Sequence, residues 1–350
     1  MTQRPAVAVS APRHDEQARA AFKRRTEEVT AWLDTWPDLR ITGRPPGPSD
    51  VHGQQNIVLT ANRRGRRVVV KVFAGVATDC AAAEAAALAR FADFGLPVPA
   101  VVEQRTGSLP DGTSCAVLMV AELPGQPLSQ VLPVADIATS ATAGAAVGRL
   151  LAAEYLAERL PVTAPGCAAA SWGRVRQRYE RTLVDELGVS AGLLVEMDHR
   201  ARSLPDPPTL GWVTFDWRLR HLLWDGADIT GLVDLEYVKP YDSTVELANL
   251  LHDLLVGLAD ERRMAFAHAM LSTYQGRLPD ESATDRALLF YMARQALNHA
   301  AVKHWQGVAD ARPAAEVRLA DVYLGANSVD DALTAVPLVP RPRRSHREVP

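Results

Sequence analysis

The sequence lacks the features that mark several common classes of protein. Only three of its 350 residues are cysteines, and Cys80, Cys115 and Cys167 are too far apart to form a Cys-x-x-Cys pair. This spacing argues against a disulfide framework and against a cysteine-based zinc site. No stretch approaches the roughly 18 uninterrupted apolar residues of a membrane-spanning helix, and the N-terminus lacks the pattern of a signal peptide. We therefore expect a cytoplasmic protein with no membrane partner.

An excess of positive charge is also missing. The chain has 38 basic and 41 acidic residues, which gives a formal net charge of -3. Proteins that bind nucleic acid are usually drawn to it by a positive field, so the charge balance argues against a nucleic-acid partner. The composition, 47% apolar and 23% charged, is typical of a soluble globular protein. Because the chain is longer than one ordinary core, we expect two lobes.

The first half of the chain carries alternating helix and strand signals. Residues 1–13 contain two prolines and no periodicity, which predicts a disordered tail. A proline- and glycine-rich stretch at 44–53 predicts a loop. Around it, the hydrophobic pattern predicts a helix, a hairpin, a second helix and a second hairpin, over 15–36, 56–60 with 68–73, 79–94, and 101–105 with 115–121. The pattern breaks at residues 123–127, and we place an N-lobe at 14–122.

The second half is mainly helical in pattern, and we assign residues 123–335 to a C-lobe. Its helical stretches are 135–160, 172–204, 245–278 with a break, 281–306 and 314–333. The exception is a group of short strand-like runs separated by polar turns, at 212–215, 221–224 and 229–233. The last residues, 336–350, are rich in proline and arginine and predict a second disordered tail.

Polar residues that could act in catalysis or metal binding are concentrated in that strand-like insertion. Asp216 precedes one strand-like run and His221 begins it, while Asp234 and Glu236 follow the next apolar run. The three carboxylates can therefore converge at one end of a small sheet. Because Mg²⁺ prefers hard oxygen ligands, Asp234 and Glu236 suit a nucleotide-bound metal. Asp216 would then orient or deprotonate a nucleophile.

The same residues carry a resemblance to a known family. The run 214–226 resembles the His-Gly-Asp-x-x-x-x-Asn catalytic loop of aminoglycoside phosphotransferases and related protein-kinase-like enzymes, including choline kinase-like ones. Residues 231–237 are similar to the family's metal-binding segment, and 241–248 to the helix start that follows it. Matches in the first half occur in the family's order, at a phosphate-covering turn, a strand lysine, its helix partner and a hinge at 118–128. The resemblance covers about residues 40–260.

This resemblance implies an α+β, two-lobe protein-kinase-like fold with a small β-rich N-lobe and a larger helical C-lobe. It implies an enzyme that uses ATP and Mg²⁺ as cofactors. In kinase-like enzymes a lysine paired with a helix glutamate holds the α- and β-phosphates beneath a glycine-containing turn. The matching positions give a cofactor-binding set consisting of Gly53, Asn56, Lys71, Glu84 and, in the hinge, Glu122.

The resemblance also implies roles for the residues of the insertion. Asp216 is the predicted catalytic residue, which positions the acceptor hydroxyl and removes its proton. Asp234, Glu236 and His221 are the predicted metal ligands. His221 stands where the family has asparagine, and imidazole is a poorer ligand for Mg²⁺ than an amide oxygen.

The catalytic loop departs from the family pattern at two further positions. Thr214 and Phe215 replace the usual His-Gly, so the hydrogen bonds by which that histidine braces the loop are lost. All the predicted acidic groups and Lys71 are nevertheless present, which favours a working enzyme. The alternative is a noncatalytic pseudokinase that acts as a nucleotide-binding or scaffold subunit.

The acceptor is the least determined part of the sequence-based hypothesis. We expect phosphorylation of a hydroxyl on a natural product, either a small molecule or a Ser/Thr of a precursor peptide of the lanthipeptide or thioamitide type. A peptide acceptor would bring a lyase-like partner subunit. An aminoglycoside resistance kinase is an alternative, although the moderate acidity of the C-lobe is insufficient to argue for a polycationic acceptor.

Overall fold

The computed structural model describes residues 12–43, 56–162, 166–207, 209–258, 261–276, 285–306 and 312–335. Its strands are β1 Leu39–Gly43, β2 Asn56–Arg63, β3 Arg66–Ala74, β4 Val101–Ser108, β5 Ser114–Ala121, β6 Gln126–Pro127, β7 Gly211–Val213, β8 Leu222–Trp224, β9 Ile229–Leu232 and β10 Lys239–Tyr241. Its helices are α1 Pro12–Leu33, α2 Thr78–Asp93, α3 Leu128–Val131, α4 Ile137–Ala157, α5 Cys167–Arg181, α6 Ala191–Ser203, α7 Thr244–Gly257, α8 Glu261–Gln275, α9 Asp285–Trp305, α10 Arg312–Gly325 and α11 Val329–Ala335.

The N-lobe is built on a five-stranded antiparallel sheet with the order β1-β2-β3-β5-β4. Successive side chains of a strand point to opposite faces, so the apolar strand β3 supplies both faces of the sheet. Val70 and its alternate neighbours pack with Val29 and Leu33 of α1. Phe73 packs on the opposite side, in the core that includes Phe91 of α2. The sheet is therefore enclosed between the two helices.

The C-lobe is a helical assembly with two small antiparallel sheets, β6-β8-β9 and β7-β10. Helices α4 and α8 pack unusually closely, because a Cβ at Gly144 would lie 2.2 Å from the carbonyl oxygen of Phe266 and one at Gly148 2.4 Å from that of Met270. Larger residues at these two glycines would push the helices apart. In the part of the chain that the structure describes, no helix is both long and apolar enough to cross a membrane.

The predicted α+β, two-lobe architecture is confirmed, with corrections in detail. The sequence pattern did not predict β1, β6 or β10. The predicted helix over 172–204 is wrong as one element: it is α5 and α6, separated by a π-helical turn at Thr182–Glu186 and a loop. Helix α1 already begins at Pro12, and the rest of the two predicted tails lies outside the described residues. The lobe limits, 14–122 and 123–335, remain predictions.

Candidate active site

The strand β3 places a lysine in the interior of the molecule. Lys71 pairs in register with Val58 of β2 and Leu118 of β5, so it occupies the middle of the sheet. The alternation of the strand puts its side chain on the same face as Phe73, toward α2. The side chain is only 8% exposed. A buried ammonium group requires carboxylate partners, and the structure supplies three.

The first partner comes from α2. Glu84 belongs to the buried stripe of this helix together with Ala81, Leu88 and Phe91, a spacing that lines up one face of a helix. Lys71 Nζ donates to both Glu84 carboxylate oxygens, at 2.9 and 2.7 Å. The structure thus brings together the predicted lysine and glutamate.

The other two partners come from the C-lobe, just after β9. The backbone N–H of Val233 donates to the carbonyl oxygen of His221 at 3.0 Å, and the next residue, Asp234, adopts a left-handed φ of 72°. Asp234 Oδ1 then lies 2.8 Å from Lys71 Nζ, and Glu236 Oε1 lies 3.2 Å from it. Lys71 therefore joins the two lobes at the predicted metal-binding segment.

The electrostatics of this cluster are dominated by burial and by Lys71. Burial alone would lower the pKa of Lys71, but Asp234, followed by Glu84 and Glu236, raises it above the ordinary value. Burial opposes ionisation of Asp234, yet Lys71 and then His221 hold its pKa well below the usual range. Burial raises the pKa of Glu84 and of Glu236 against the opposing effect of Lys71. Asp234 is the most firmly ionised of the three carboxylates.

Asp216 and His221 lie beside this cluster. One ligand atom from each of Asp216, His221 and Asp234 lies within 4.8 Å of the others. His221 Nδ1 lies 2.7 Å from the carbonyl oxygen of Asp216, so this nitrogen carries the proton and donates it. Its Nε2 accepts from Arg220 Nε at 2.8 Å and lies 3.3 Å from Asp234 Oδ2. Burial lowers the pKa of His221, while Asp234 opposes this effect.

The Asp216 carboxylate is held by an arginine that the sequence did not single out. Arg218 Nε donates to Asp216 Oδ1. The same guanidinium lies 3.0 Å through Nη2 from His299 Nε2 on α9. Asp216 keeps 32% of its side chain exposed. The carboxylate is therefore oriented by the protein and still accessible to an incoming group.

Helix α7 fixes the backbone of the loop that carries Asp216. Glu246 accepts from the N–H of Thr214, and Asn249 Nδ2 donates to the carbonyl oxygen of Phe215 at 3.0 Å. One turn further along the helix, Asp253 Oδ2 accepts from the N–H of Leu219 at 2.9 Å. Three side chains of one helix thus hold the backbone of this loop, in which Thr214 stands where the family has histidine.

Glu246 is itself paired with a second buried carboxyl group, Glu154 on α4. Both residues are almost fully buried, at 1% and 3% exposure. Burial raises the pKa of Glu246 to about 7, and burial together with Glu246 raises that of Glu154 well above its ordinary value. Neither oxygen of Glu154 accepts a hydrogen bond within the described residues. The two shifts favour a protonated Glu154, and a side-chain hydrogen bond from Glu154 lowers the pKa of Glu246 against the effect of burial.

The carboxyl pair predicts a pH-dependent stability. Because folding raises both pKa values, the stabilisation contributed by the neutral carboxyl groups is fully present below the unfolded pKa of about 4.5. It is lost as the pH rises, through about 7 in the case of Glu246. Glu154→Gln keeps a donor toward Glu246 and removes one titrating group. We expect it to raise the free energy of unfolding at pH 8 by on the order of 2 kcal/mol, with little change at pH 4. Urea unfolding of wild type and Glu154→Gln at pH 4 and pH 8 measures this effect. If both proteins lose the same free energy of unfolding between pH 4 and pH 8, the prediction is contradicted.

Two of the remaining predicted cofactor-binding residues, Asn56 and Glu122, do not lie together. Gly53 lies outside the described residues. Asn56, the first residue of β2, is buried and donates from its amide to Glu236 Oε1, while its own Oδ1 has no partner within the described residues. Glu122 follows β5 and pairs with Arg67 at 2.6 Å. Asn56 is thus beside the acidic cluster, and Glu122 stands at the connection between the lobes.

Comparison with protein families decides how this geometry is classified. The model of the Phosphotransferase enzyme family (APH) matches residues 47–288, more than two thirds of the chain. The chain belongs to this family. The match includes the β3 lysine, the α2 glutamate, the loop of Asp216 and the segment of Asp234. A search of curated proteins found no match.

Solved structures of phosphotransferases share the overall fold of this chain. The chain is similar to an aminoglycoside-3'-phosphotransferase of type VIII, with 22% identity and a TM-score of 0.53 over 77% of this chain and 97% of that one. It is also similar to a thermostable mutant of the aminoglycoside phosphotransferase APH(4)-Ia in a ternary complex with ADP and hygromycin B, with 16% identity and a TM-score of 0.56 over 84% and 97%. A macrolide 2'-phosphotransferase, MphH from Brachybacterium faecium, gives 17% identity and 0.52 over 82% and 97%.

The catalytic loop of the phosphotransferase has a left-handed backbone conformation at the position where the family has glycine. Phe215 has a φ of 60°, a left-handed conformation that glycine adopts freely and that costs other residues about 1–2 kcal/mol. Its ring packs on that of Tyr241, with centroids 5.0 Å apart, and Lys239 lies over the ring at 4.5 Å. Packing of the aromatic side chain offsets the backbone strain at this position.

Proposed function

We propose that the phosphotransferase moves the γ-phosphate of ATP to a hydroxyl group of a natural-product acceptor. The observation that carries the proposal is the convergence of the Lys71–Glu84 ion pair, Asp234 and Asp216 in one cleft. An ammonium beside a glutamate suits the α- and β-phosphates, and a nearby accessible carboxylate suits an acceptor hydroxyl. The ADP and hygromycin B complex of one structural relative supports a site that takes a nucleotide and an acceptor together.

In this proposal each residue of the cluster has a defined task. Lys71 binds the phosphates and Glu84 orients its ammonium group. Asp216, held by Arg218, orients the acceptor hydroxyl and takes its proton as the phosphoryl group is transferred. The exposed fraction of Asp216 leaves room for that hydroxyl.

The donor atoms near Asp234 fit a magnesium ion. Two sets of ligand atoms each lie within 4.8 Å of one another: Asp216 with His221 and Asp234, and Glu84 with Asp234 and Glu236, of which the second already surrounds the Lys71 ammonium group. Carboxylate oxygens are the ligands that Mg²⁺ prefers, and Asp234 belongs to both sets. In this proposal Asp234 would be the principal ligand, with His221 from one set and Glu236 from the other, and the ion would supply charge neutralisation for the phosphates.

Nucleotide binding tests this assignment directly. We expect the affinity for AMP-PNP, measured by titration calorimetry, to fall at least about tenfold when Mg²⁺ is removed. Asp234→Asn should bind AMP-PNP weakly whether or not Mg²⁺ is present. Asp225→Asn, which changes an exposed turn carboxylate hydrogen-bonded to Ala227 and Asp228, is the matched control and should behave as wild type. An affinity indifferent to both Mg²⁺ and Asp234→Asn would overturn the proposed cofactor site.

The nature of the acceptor is a further part of the proposal. The structural relatives include phosphotransferases of aminoglycosides and macrolides, and this supports a small natural product over a macromolecule. Membership of a phosphotransferase enzyme family favours catalysis over the pseudokinase alternative. The precursor-peptide acceptor and its lyase-like partner subunit remain predictions.

A further inference from the structure

Two cationic side chains lie against the aromatic pair next to Asp216, and a third lies close enough to act on them. Lys239 of β10 lies 4.5 Å from the Phe215 ring centroid and 6.0 Å from that of Tyr241. The guanidinium of Arg174 on α5 lies 5.4 Å from the Tyr241 ring and donates from Nη2 to its hydroxyl at 3.2 Å. Arg294 of α9 is the third member. We call Arg174, Lys239 and Arg294 the basic cluster.

The basic cluster has no neutralising carboxylate among the described residues. Within that part of the chain no ion pair under 4.0 Å involves any of its three members, in contrast to Lys71 with its three carboxylates. Arg294 donates from Nη1 to Gln295 Oε1 at 3.1 Å, and its buried Nε has no hydrogen-bond partner in the described ranges. The two acidic residues three positions from Lys239 are already engaged, Glu236 by Lys71 at 3.2 Å and Asp242 by the Tyr291 hydroxyl at 2.9 Å and the Thr244 N–H at 3.0 Å.

The three cations are close enough to act on one another. Burial and then Arg174 and Arg294 lower the pKa of Lys239. Burial lowers the pKa of Arg294 to about 10, and Arg174 contributes in the same direction. Mutual repulsion without a counter-charge is unfavourable, and a bound anion would relieve it.

The position of the basic cluster relative to Asp216 follows from two elements. Phe215, which Lys239 covers, immediately precedes Asp216 in the catalytic loop. Arg294 is five residues before His299, which meets the Arg218 that holds Asp216. Lys239 therefore contacts the residue next to Asp216, which places the basic cluster beside the catalytic loop.

We propose that the basic cluster is the part of the acceptor site that binds an anionic group, a carboxylate or a phosphate, so that the acceptor is a hydroxylated anion. This inference rests on the proposed phosphotransfer at Asp216 and adds the substrate class. Two exposed cations beside aromatic rings, with a half-buried third nearby, complement an anion and repel a polycation such as hygromycin B. The overall acidity of the C-lobe does not oppose this, because the field at a site is set by its nearest charges.

Protection of Lys239 from acylation tests the anion site without requiring a known acceptor. The full chain, saturated with AMP-PNP and Mg²⁺, is treated with an amine-acylating reagent at constant ionic strength, and the modification of Lys239 is followed by peptide mass spectrometry. Succinate probes for a carboxylate site and sulfate for a phosphate-like one. We expect succinate, sulfate or both to slow the acylation of Lys239 about fivefold or more, because a bound anion covers the amine. This effect should saturate as the anion concentration rises. Lys303, which pairs with Glu316, is the internal control and should not respond.

Two matched variants and one cationic probe complete the test. Arg174→Ala should abolish the protection, whereas Arg178→Ala, one helical turn along α5 and in contact with Tyr179 and Trp305, should preserve it. Hygromycin B should give no protection. The inference is overturned if neither anion protects Lys239, if protection survives Arg174→Ala, or if hygromycin B protects better than the anions. None of these results bears on the affinity for AMP-PNP or on phosphotransfer at Asp216. Failure of the proposed anion site can therefore be told apart from failure of the proposed phosphotransfer.

Discussion

Replacing Lys71 with methionine is expected to lower the free energy of unfolding by about 3–5 kcal/mol at pH 7 and phosphotransfer by at least about 100-fold. The side chains of Lys71 and Glu84 are 8% and 3% exposed, so the glutamate would be left buried without its counter-charge. Asp234 and Glu236 would lose the same ammonium group. The phosphates would lose the one cation that β3 places in the cleft.

The stability defect of Lys71→Met should depend on pH in a defined direction. Without the ammonium group, burial and mutual repulsion raise the pKa of Glu84 and of Glu236 further above their unfolded values. Carboxyl groups whose pKa is raised on folding stabilise the protein below the unfolded value and lose that stabilisation as pH rises. The difference from wild type should therefore shrink as pH falls from 7 toward about 4.5.

A cation on the same strand provides the control. Arg67 pairs with Glu122 but is 77% exposed, and such surface pairs contribute less than about 1 kcal/mol. Arg67→Met should therefore leave the unfolding curve close to that of wild type. Urea unfolding and a coupled ADP-release assay measure the two effects. Equal stabilities for Lys71→Met and Arg67→Met would show that the buried cluster does not depend on its cation.

The N-lobe could be predicted from sequence because its signals are local. The apolar run broken by one lysine in β3 and the helix that carries Glu84 are both visible in the sequence, and the resemblance to the phosphotransferase family supplied their pairing. The strand β1 escaped prediction, since only Leu39 of its five residues is buried and its pairing with β2 spans a distant part of the chain. The two strands that contain proline, β6 and β10, are too short to show an alternation of apolar and polar residues.

The support of the catalytic loop was not predictable in the same way. Glu246, Asn249 and Asp253 share one face of α7, and the spacing Glu-x-x-Asn-x-x-x-Asp is visible in the sequence, but its meaning depends on which loop lies opposite. The partnership of Glu154 with Glu246 joins helices about ninety residues apart. Such contacts arise only from tertiary packing.

Charge at the acceptor side shows a third limit of sequence-based prediction. The C-lobe has a moderate excess of acidic residues, yet the fold brings Arg174, Lys239 and Arg294 close together from three separate elements, with Lys239 over Phe215. A charge averaged over a lobe does not reveal which side chains the fold brings together. The sequence therefore left the acceptor open, whereas the meeting of these three cations favours an anion.

Asp216→Asn is expected to reduce phosphotransfer by about two orders of magnitude or more while leaving the affinity for AMP-PNP and Mg²⁺ nearly unchanged. An amide cannot take the proton of the acceptor hydroxyl, but it keeps the size of the side chain and an oxygen that accepts from Arg218. Because Asp216 touches the acceptor rather than the phosphates in the proposed arrangement, nucleotide binding should be spared.

The proposed role of Asp216 is tested most directly by pairing these two readouts, ADP release with an acceptor and calorimetric binding of AMP-PNP, for wild type, Asp216→Asn and Asp225→Asn. We expect normal nucleotide affinity in all three proteins and a turnover loss of about 100-fold or more in Asp216→Asn alone. Equal turnover by wild type and Asp216→Asn on the same acceptor would contradict the assignment of Asp216 as the group that receives the proton.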